Sequence, residues 1–197
     1  MKEAFIKLHL SVLMGVFGRL ITLNEGLLVW YRMLFAGVLF YIVLFLLKKL
    51  RKLPVRDALR IASVGLLLAV HWLFFYGSIK ASNVSIGVVC LSLMSFFTAL
   101  FDPLINRHRV SASEIVFSLI GVAGIVLIFH FDTRYRTGIL MGVVSSALAS
   151  LFTICNKKVA SGYPSGITLL YEMGGGFAGL TCMLPLYLYF FPVPTIL

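Results

Sequence analysis

Long apolar runs alternate with short polar breaks along the chain. A helix that crosses a bilayer needs about 20 mostly apolar residues. Runs of that length occupy residues 5–23, 26–47, 59–79, 84–105, 113–131, 138–156 and 165–191. Arg19 interrupts the first, Arg32 the second and His71 the third; Asp102 lies near the end of the fourth, and Glu172 sits inside the seventh. The pattern predicts an all-α fold, a polytopic membrane helix bundle of about seven transmembrane helices. The first run, opened by Lys2 and Lys7, has the outline of a signal peptide. No small-x-small cleavage pattern precedes Glu25, and further runs follow at once, so it is expected to stay as a helix. The connections are short, and only the basic linker 48–60 has any size.

Composition agrees with that pattern. The 197 residues are 60% hydrophobic and 12% charged, with a mean hydropathy of +1.03. A soluble domain averages about 45–50% apolar and about 25% charged residues. A soluble enzyme, a secreted disulfide scaffold and a disordered tail are therefore excluded. The formal charge is +10, from 17 Lys and Arg against 7 Asp and Glu. Because the cations fall between apolar runs, they read as a topology signal and not as a nucleic-acid surface. A cytoplasmic N-terminus places most of them inside, the 48–60 linker above all, as a solvated loop beside anionic lipid. Cys90, Cys155 and Cys182 lie in apolar runs without metal or redox spacing and are expected to be reduced packing residues.

A shift of 140 residues lays Glu25-Gly26-Leu27-Leu28-Val29-Trp30-Tyr31-Arg32-Met33 on Ser165-Gly166-Ile167-Thr168-Leu169-Leu170-Tyr171-Glu172-Met173. Gly26 meets Gly166, Tyr31 meets Tyr171, Met33 meets Met173, and the cation Arg32 meets the anion Glu172. The same shift puts the first run on the sixth. An odd number of spans separates the two copies, so they are expected to cross the bilayer in opposite directions. Secondary transporters use such inverted repeats and place their site near the midplane between them.

Several segments carry a resemblance to a known family. They are Val29-Trp30-Tyr31-Arg32-Met33-Leu34, the junction Leu73-Phe74-Phe75-Tyr76-Gly77-Ser78-Ile79-Lys80-Ala81-Ser82-Asn83-Val84-Ser85-Ile86-Gly87, and Arg109-Val110-Ser111-Ala112-Ser113-Glu114 leading into Leu119-Ile120-Gly121-Val122-Ala123-Gly124-Ile125-Val126-Leu127-Ile128. In these the chain resembles the drug/metabolite transporter superfamily, EamA-type permeases. The resemblance implies ten helices as two inverted sets of five. Residues 1–131 then correspond to the first set, and 138–197 to the first two helices of the second, so the sequence reads as an incomplete inverted repeat. His108 stands where the family often carries an acidic residue, and Met94 or Ser95 where it has a fourth-helix proline.

Ionisable groups inside a bilayer cost roughly 2.5–3.5 kcal/mol each, so the few present are candidates for function. Arg32 and Glu172 are expected on either side of the midplane, about 8–10 Å apart along the normal. Arg32 suits an anionic substrate group, and Glu172 a proton or a substrate amine; the plainer alternative is a static buried ion pair. Tyr31 and Tyr171 join the candidate substrate-binding set through the repeat. His71 is a candidate proton relay or interhelical hydrogen-bonding group. Trp72 and Tyr76 share a helix face as a candidate pocket wall, against the alternative of ordinary packing. Gly138-x-x-x-Gly142 and Gly175-x-x-x-Gly179 suit close helix contact, and no phosphate-loop spacing is present.

The expected function is a secondary transporter or exporter of small metabolites, amino acids or amphipathic compounds, in the cytoplasmic membrane, working by alternating access. No cofactor and no metal is expected. The expected partners are a small-molecule substrate, the lipid bilayer and a coupling ion or proton, with no nucleic acid. A homodimer, or further C-terminal helices, would complete the bundle. The alternatives are a non-transporting fragment that needs a partner chain, and a membrane-embedded enzyme. The enzyme is disfavoured because His71, His108, His130 and Asp102 form no catalytic cluster along the sequence.

Overall fold

The computed structural model describes residues 24–107, 116, 119–120, 122–124 and 133–191, and these form helices without a strand among them. The helices are α1 (Glu25–Leu46), α2 (Val55–Ala81), α3 (Val84–Leu91), α4 (Met94–Asn106), α5 (Arg136–Val159) and α6 (Ser165–Phe190), with a single 3₁₀ turn at Thr133–Tyr135. Glu25–Leu46, Val55–Ala81, Val84–Asn106, Arg136–Val159 and Ser165–Phe190 are each long and apolar enough to cross a membrane. The chain is an all-α, multi-pass membrane protein. The expected spans 26–47, 59–79, 84–105, 138–156 and 165–191 fall on these helices. The expected spans 5–23 and 113–131 lie wholly or largely outside the described residues.

Local chemistry sets the boundaries. Asn24 caps α1 by accepting the Gly26 N–H at 2.8 Å, and Asn83 caps α3 by accepting the Ile86 N–H at 2.9 Å. Pro54 precedes α2 and Pro164 precedes α6, where a fixed φ and a missing N–H favour a helix start. Gly162, at φ +96°, makes the turn from α5 to α6, a backbone conformation that a side chain would strain. The fourth expected span is not one continuous helix. Ser92 and Leu93 stay near helical φ/ψ, but the Ser92 and Leu93 N–H groups bond three residues back, to Val89 and Cys90. The Ser92 hydroxyl also donates to the Val89 carbonyl at 2.7 Å. This tightened turn is the break between α3 and α4.

The described residues form two compact units, and both α2 and α5 contribute to each. The first holds residues 71–151. Its interior combines Phe75, Ile79 and Cys90 with the buried hydroxyls of Ser78, Ser145, Ser146 and Ser150. Each hydroxyl has a partner: Ser78 donates to the Gly138 carbonyl at 2.6 Å, Ser146 to the Cys90 carbonyl, and Ser150 pairs with Thr98 at 2.9 Å. In a bilayer, small side chains and interhelical hydrogen bonds hold helices together, because lipid tails are as apolar as the helices. Gly138 lies against Ser82 and Gly142 against Cys90, the close contact that their spacing predicts.

The second unit holds residues 24–70 and 152–191. In it α1 and α6 run antiparallel along their whole length. Asn24 Nδ2 donates to the Phe191 carbonyl at 2.8 Å, and Trp30 Nε1 donates to Thr181 Oγ1 at 2.8 Å. Gly176 lies against Met33, Gly37 against Met173 and Gly166 against Leu44. The first part of α2 crosses α6 in the same direction as α6, with Ala62 against Gly175 and Leu66 against Gly179. A Cβ on Gly65 would run into the backbone of Glu172, and one on Gly175 into that of Ala62, so the two backbones touch. Phe35, Leu39 and Leu46 remain exposed on α1, a surface suited to lipid.

Candidate functional site

Glu172 is an acidic side chain deep in an apolar helix. It lies seven residues after Ser165, about 10 Å along the axis at 1.5 Å per residue. It is 2% exposed. The backbone contact between Gly65 and Glu172 seals it, because no side chain separates the two helices there. The Asn156 side chain on α5 lies near the carboxyl group. Oε1 has no hydrogen-bond partner among the described residues. An unsatisfied buried carboxyl oxygen costs roughly 1–3 kcal/mol, more when charged, unless a proton or a ligand meets it. The chemistry open to it is to hold a proton or to accept from a cationic donor.

Arg32 is half-buried on α1, next to Met33, which packs on Gly176. It falls between the Trp30–Thr181 and Met33–Gly176 contacts, so it stands about 9 Å from Glu172 along the helix axis. Tyr31 points away from this seam. It is 41% exposed, stacked on Phe35 with ring centres 6.1 Å apart, and edge-on to Trp30 at 5.0 Å. Tyr171 is half-buried and turned toward the α1–α2 linker, where its hydroxyl accepts the Leu53 N–H at 3.4 Å. The two tyrosines matched by the repeat therefore occupy different surroundings.

His71, Trp72 and Tyr76 belong to the other unit. His71 is buried, and its Nδ1 lies 2.8 Å from the Ser145 carbonyl and 3.0 Å from the Ser145 hydroxyl. That hydroxyl also donates to the His71 carbonyl at 3.2 Å. A proton on Nδ1, donated to the carbonyl oxygen, satisfies this arrangement and ties α2 to α5. Trp72 stacks on Tyr76 at 5.8 Å, and Tyr76 is buried, so these rings form a packed wall within the unit. Asp102 Oδ1 accepts from Asn106 Nδ2 at 2.6 Å, one helical turn along α4. No group of three or more His, Cys, Asp or Glu side chains able to hold a metal is present among the described residues.

Sequence reasoning missed Asn156 and Gly65. Asn156 is a lone amide at the end of an uncharged run, a weak signal. Gly65 acts through its backbone, which no residue pattern reports. Outside the spans, Tyr163 donates to Asp57 Oδ2 at 2.8 Å, and this bond to a carboxylate pushes the phenol above its ordinary value.

Residues 5–130 match the sequence model of the EamA-like transporter family. Over 134 residues the chain is 25% identical to an uncharacterized transporter of Archaeoglobus fulgidus, an alignment covering 67% of this chain and 47% of that protein. The chain thus spans about half the length of the curated relative that it matches. No solved structure matches it.

Proposed function

Because the chain belongs to the EamA-like transporter family, we propose that it moves small metabolites, amino acids or amphipathic compounds across the cytoplasmic membrane by alternating access, driven by an ion gradient or by exchange. On this reading it is a carrier and not an enzyme, and its N-terminus is cytoplasmic. The observation that carries the proposal is the setting of Glu172: a buried carboxyl with one oxygen unpartnered, on a helix that runs antiparallel to the Arg32 helix. Antiparallel α1 and α6 are what an inverted repeat requires, and they support assigning 1–131 and 138–197 to opposed copies. In the proposed cycle Glu172 takes up a coupling proton or a substrate amine, Asn156 positions its carboxyl, and Arg32 holds an anionic substrate group. Tyr31, Tyr171, His71, Trp72 and Tyr76 are the proposed accessory contacts.

The test is uptake of labelled amino acids into proteoliposomes under an imposed pH gradient. Arg32→Ala and Glu172→Gln are each expected to abolish flux while the protein still inserts with native helicity. Full flux in both variants overturns the site.

A second reading is a non-transporting fragment that needs a partner chain to supply helices. The mass in detergent, with and without a co-expressed second chain, distinguishes the two.

A further inference from the structure

The end of the second unit where α1 stops and α6 starts carries a cleft that the transport reading does not use. Its volume is about 530 Å³, within the range of roughly 300–1,000 Å³ typical of small-molecule pockets. Leu44, Leu47, Pro164, Gly166 and Ile167 make an apolar wall, and Lys48, Lys49 and Arg51 make a cationic rim. No acidic side chain lines it. Asp57, also in this unit, is engaged by Tyr163 at 2.8 Å and by Arg60 at 3.6 Å.

The backbone gathers the cations. Beyond Leu46, Lys48 adopts a left-handed conformation at φ 53°. Its N–H bonds the Phe45 carbonyl at 3.0 Å, and the Lys49 N–H bonds the Leu44 carbonyl at 2.9 Å. This cap folds the chain back over the end of α1, so that three cations meet beside Leu44 and Leu47 instead of trailing away along an extended linker. Cations after a helix also favour its negative end. No basic residue lies in the last turn of α1 itself, and that effect falls off within about one turn of the helix end, so it requires neither Arg51 nor an open apolar wall.

We infer that this cleft binds one anionic phospholipid, its phosphate on Lys48, Lys49 and Arg51 and the start of its acyl chain on the exposed Leu47 and Pro164. The argument is complementarity. A free phosphate would use the cations and leave the apolar wall uncovered; a neutral lipid would use the wall and leave the cations unmatched. Both bounding helices cross the membrane, so their ends lie at headgroup depth, where basic pockets between helices meet anionic lipid. The positive end of the α6 dipole at Ser165 reinforces the same charge preference.

The test uses the full chain in detergent, titrated with phosphatidylglycerol, with phosphatidylcholine and with inorganic phosphate, bound lipid being counted by native mass spectrometry. The expected result is saturable binding of one phosphatidylglycerol, with no binding of phosphatidylcholine and no displacement by phosphate. Combined Lys48→Gln, Lys49→Gln and Arg51→Gln is expected to weaken binding about five-fold per cation, roughly 100-fold together. Lys157→Gln with Lys158→Gln, which removes exposed cations outside the cleft, is expected to leave it unchanged. Equal loss in this control, equal binding of phosphatidylcholine, or displacement by phosphate each overturns the inference. Leu47 is exposed, so Leu47→Ser keeps the fold even if the triple variant does not; it is expected to weaken phosphatidylglycerol binding several-fold, and unchanged binding in it also overturns the inference.

Discussion

Glu172 lies near the Asn156 side chain, with Oε1 unpartnered among the described residues, in a sealed crossing of helices. If that amide positions the carboxyl, a double-mutant cycle of Asn156→Ala and Glu172→Gln, read by thermal unfolding in detergent, gives a coupling of about 1–2 kcal/mol. A coupling near zero removes Asn156 from the site. Tyr163 provides a pH-dependent contact at the same scale. Its phenol is raised above the ordinary value near 10 by the bond it donates to Asp57. A raised folded value means that the contact stabilises fully below pH 10 and is lost as pH rises through the folded value. Ultraviolet titration at alkaline pH is expected to show one late-ionising tyrosine that disappears in Tyr163→Phe. The sequence made Glu172 legible, because a lone acid in an apolar run has few structural explanations. Asn156 was not legible, because its partner lies on another helix and only folding brings the two together. Tyr31 and Tyr171 match in the repeat, yet one faces outward and the other reaches the linker, since a one-position change of helix face separates seam from surface.

At the scale of the helices, the apolar runs foretold where the described spans begin and end, because a bilayer imposes both length and composition. The α3–α4 break was hidden inside one such run, where a Ser92 hydroxyl bonding to Val89 costs nothing in hydropathy. The glycine spacings gave close contacts, but not the backbone-on-backbone crossing of α2 and α6 at Gly65 and Gly175. Gly65→Ala has no room for its methyl and is expected to destabilise the protein by about 1–3 kcal/mol, through overpacking. Ala at exposed Gly174, which meets open space, serves as the comparison. Equal unfolding temperatures for the two variants would refute the close crossing.

For the molecule as a whole, charge and hydropathy fixed the membrane class and proposed an orientation, whereas the two compact units divide α2 and α5 between them. No sequence pattern marks that division, because residues 70 and 71, like 151 and 152, lie within single helices with no turn signal between them. The contacts Leu44–Gly166 and Asp57–Tyr163 put the 48–56 linker and the 160–164 turn at one end of the second unit. Single cysteines at Lys52 and Ser161, in a background lacking the native cysteines, are therefore expected to react with an impermeant maleimide from the same side. On the orientation proposed above, that side is the cytoplasmic one. Labelling from opposite sides contradicts the antiparallel arrangement.

Asn24 has a consequence that reaches across the second unit. One amide side chain accepts the Gly26 N–H through its oxygen and donates through its nitrogen to the Phe191 carbonyl. The opening turn of α1 cannot fray without releasing Phe191, the residue that caps α6, nor the reverse. Two ends that lie 167 positions apart in the chain therefore melt as a single clasp.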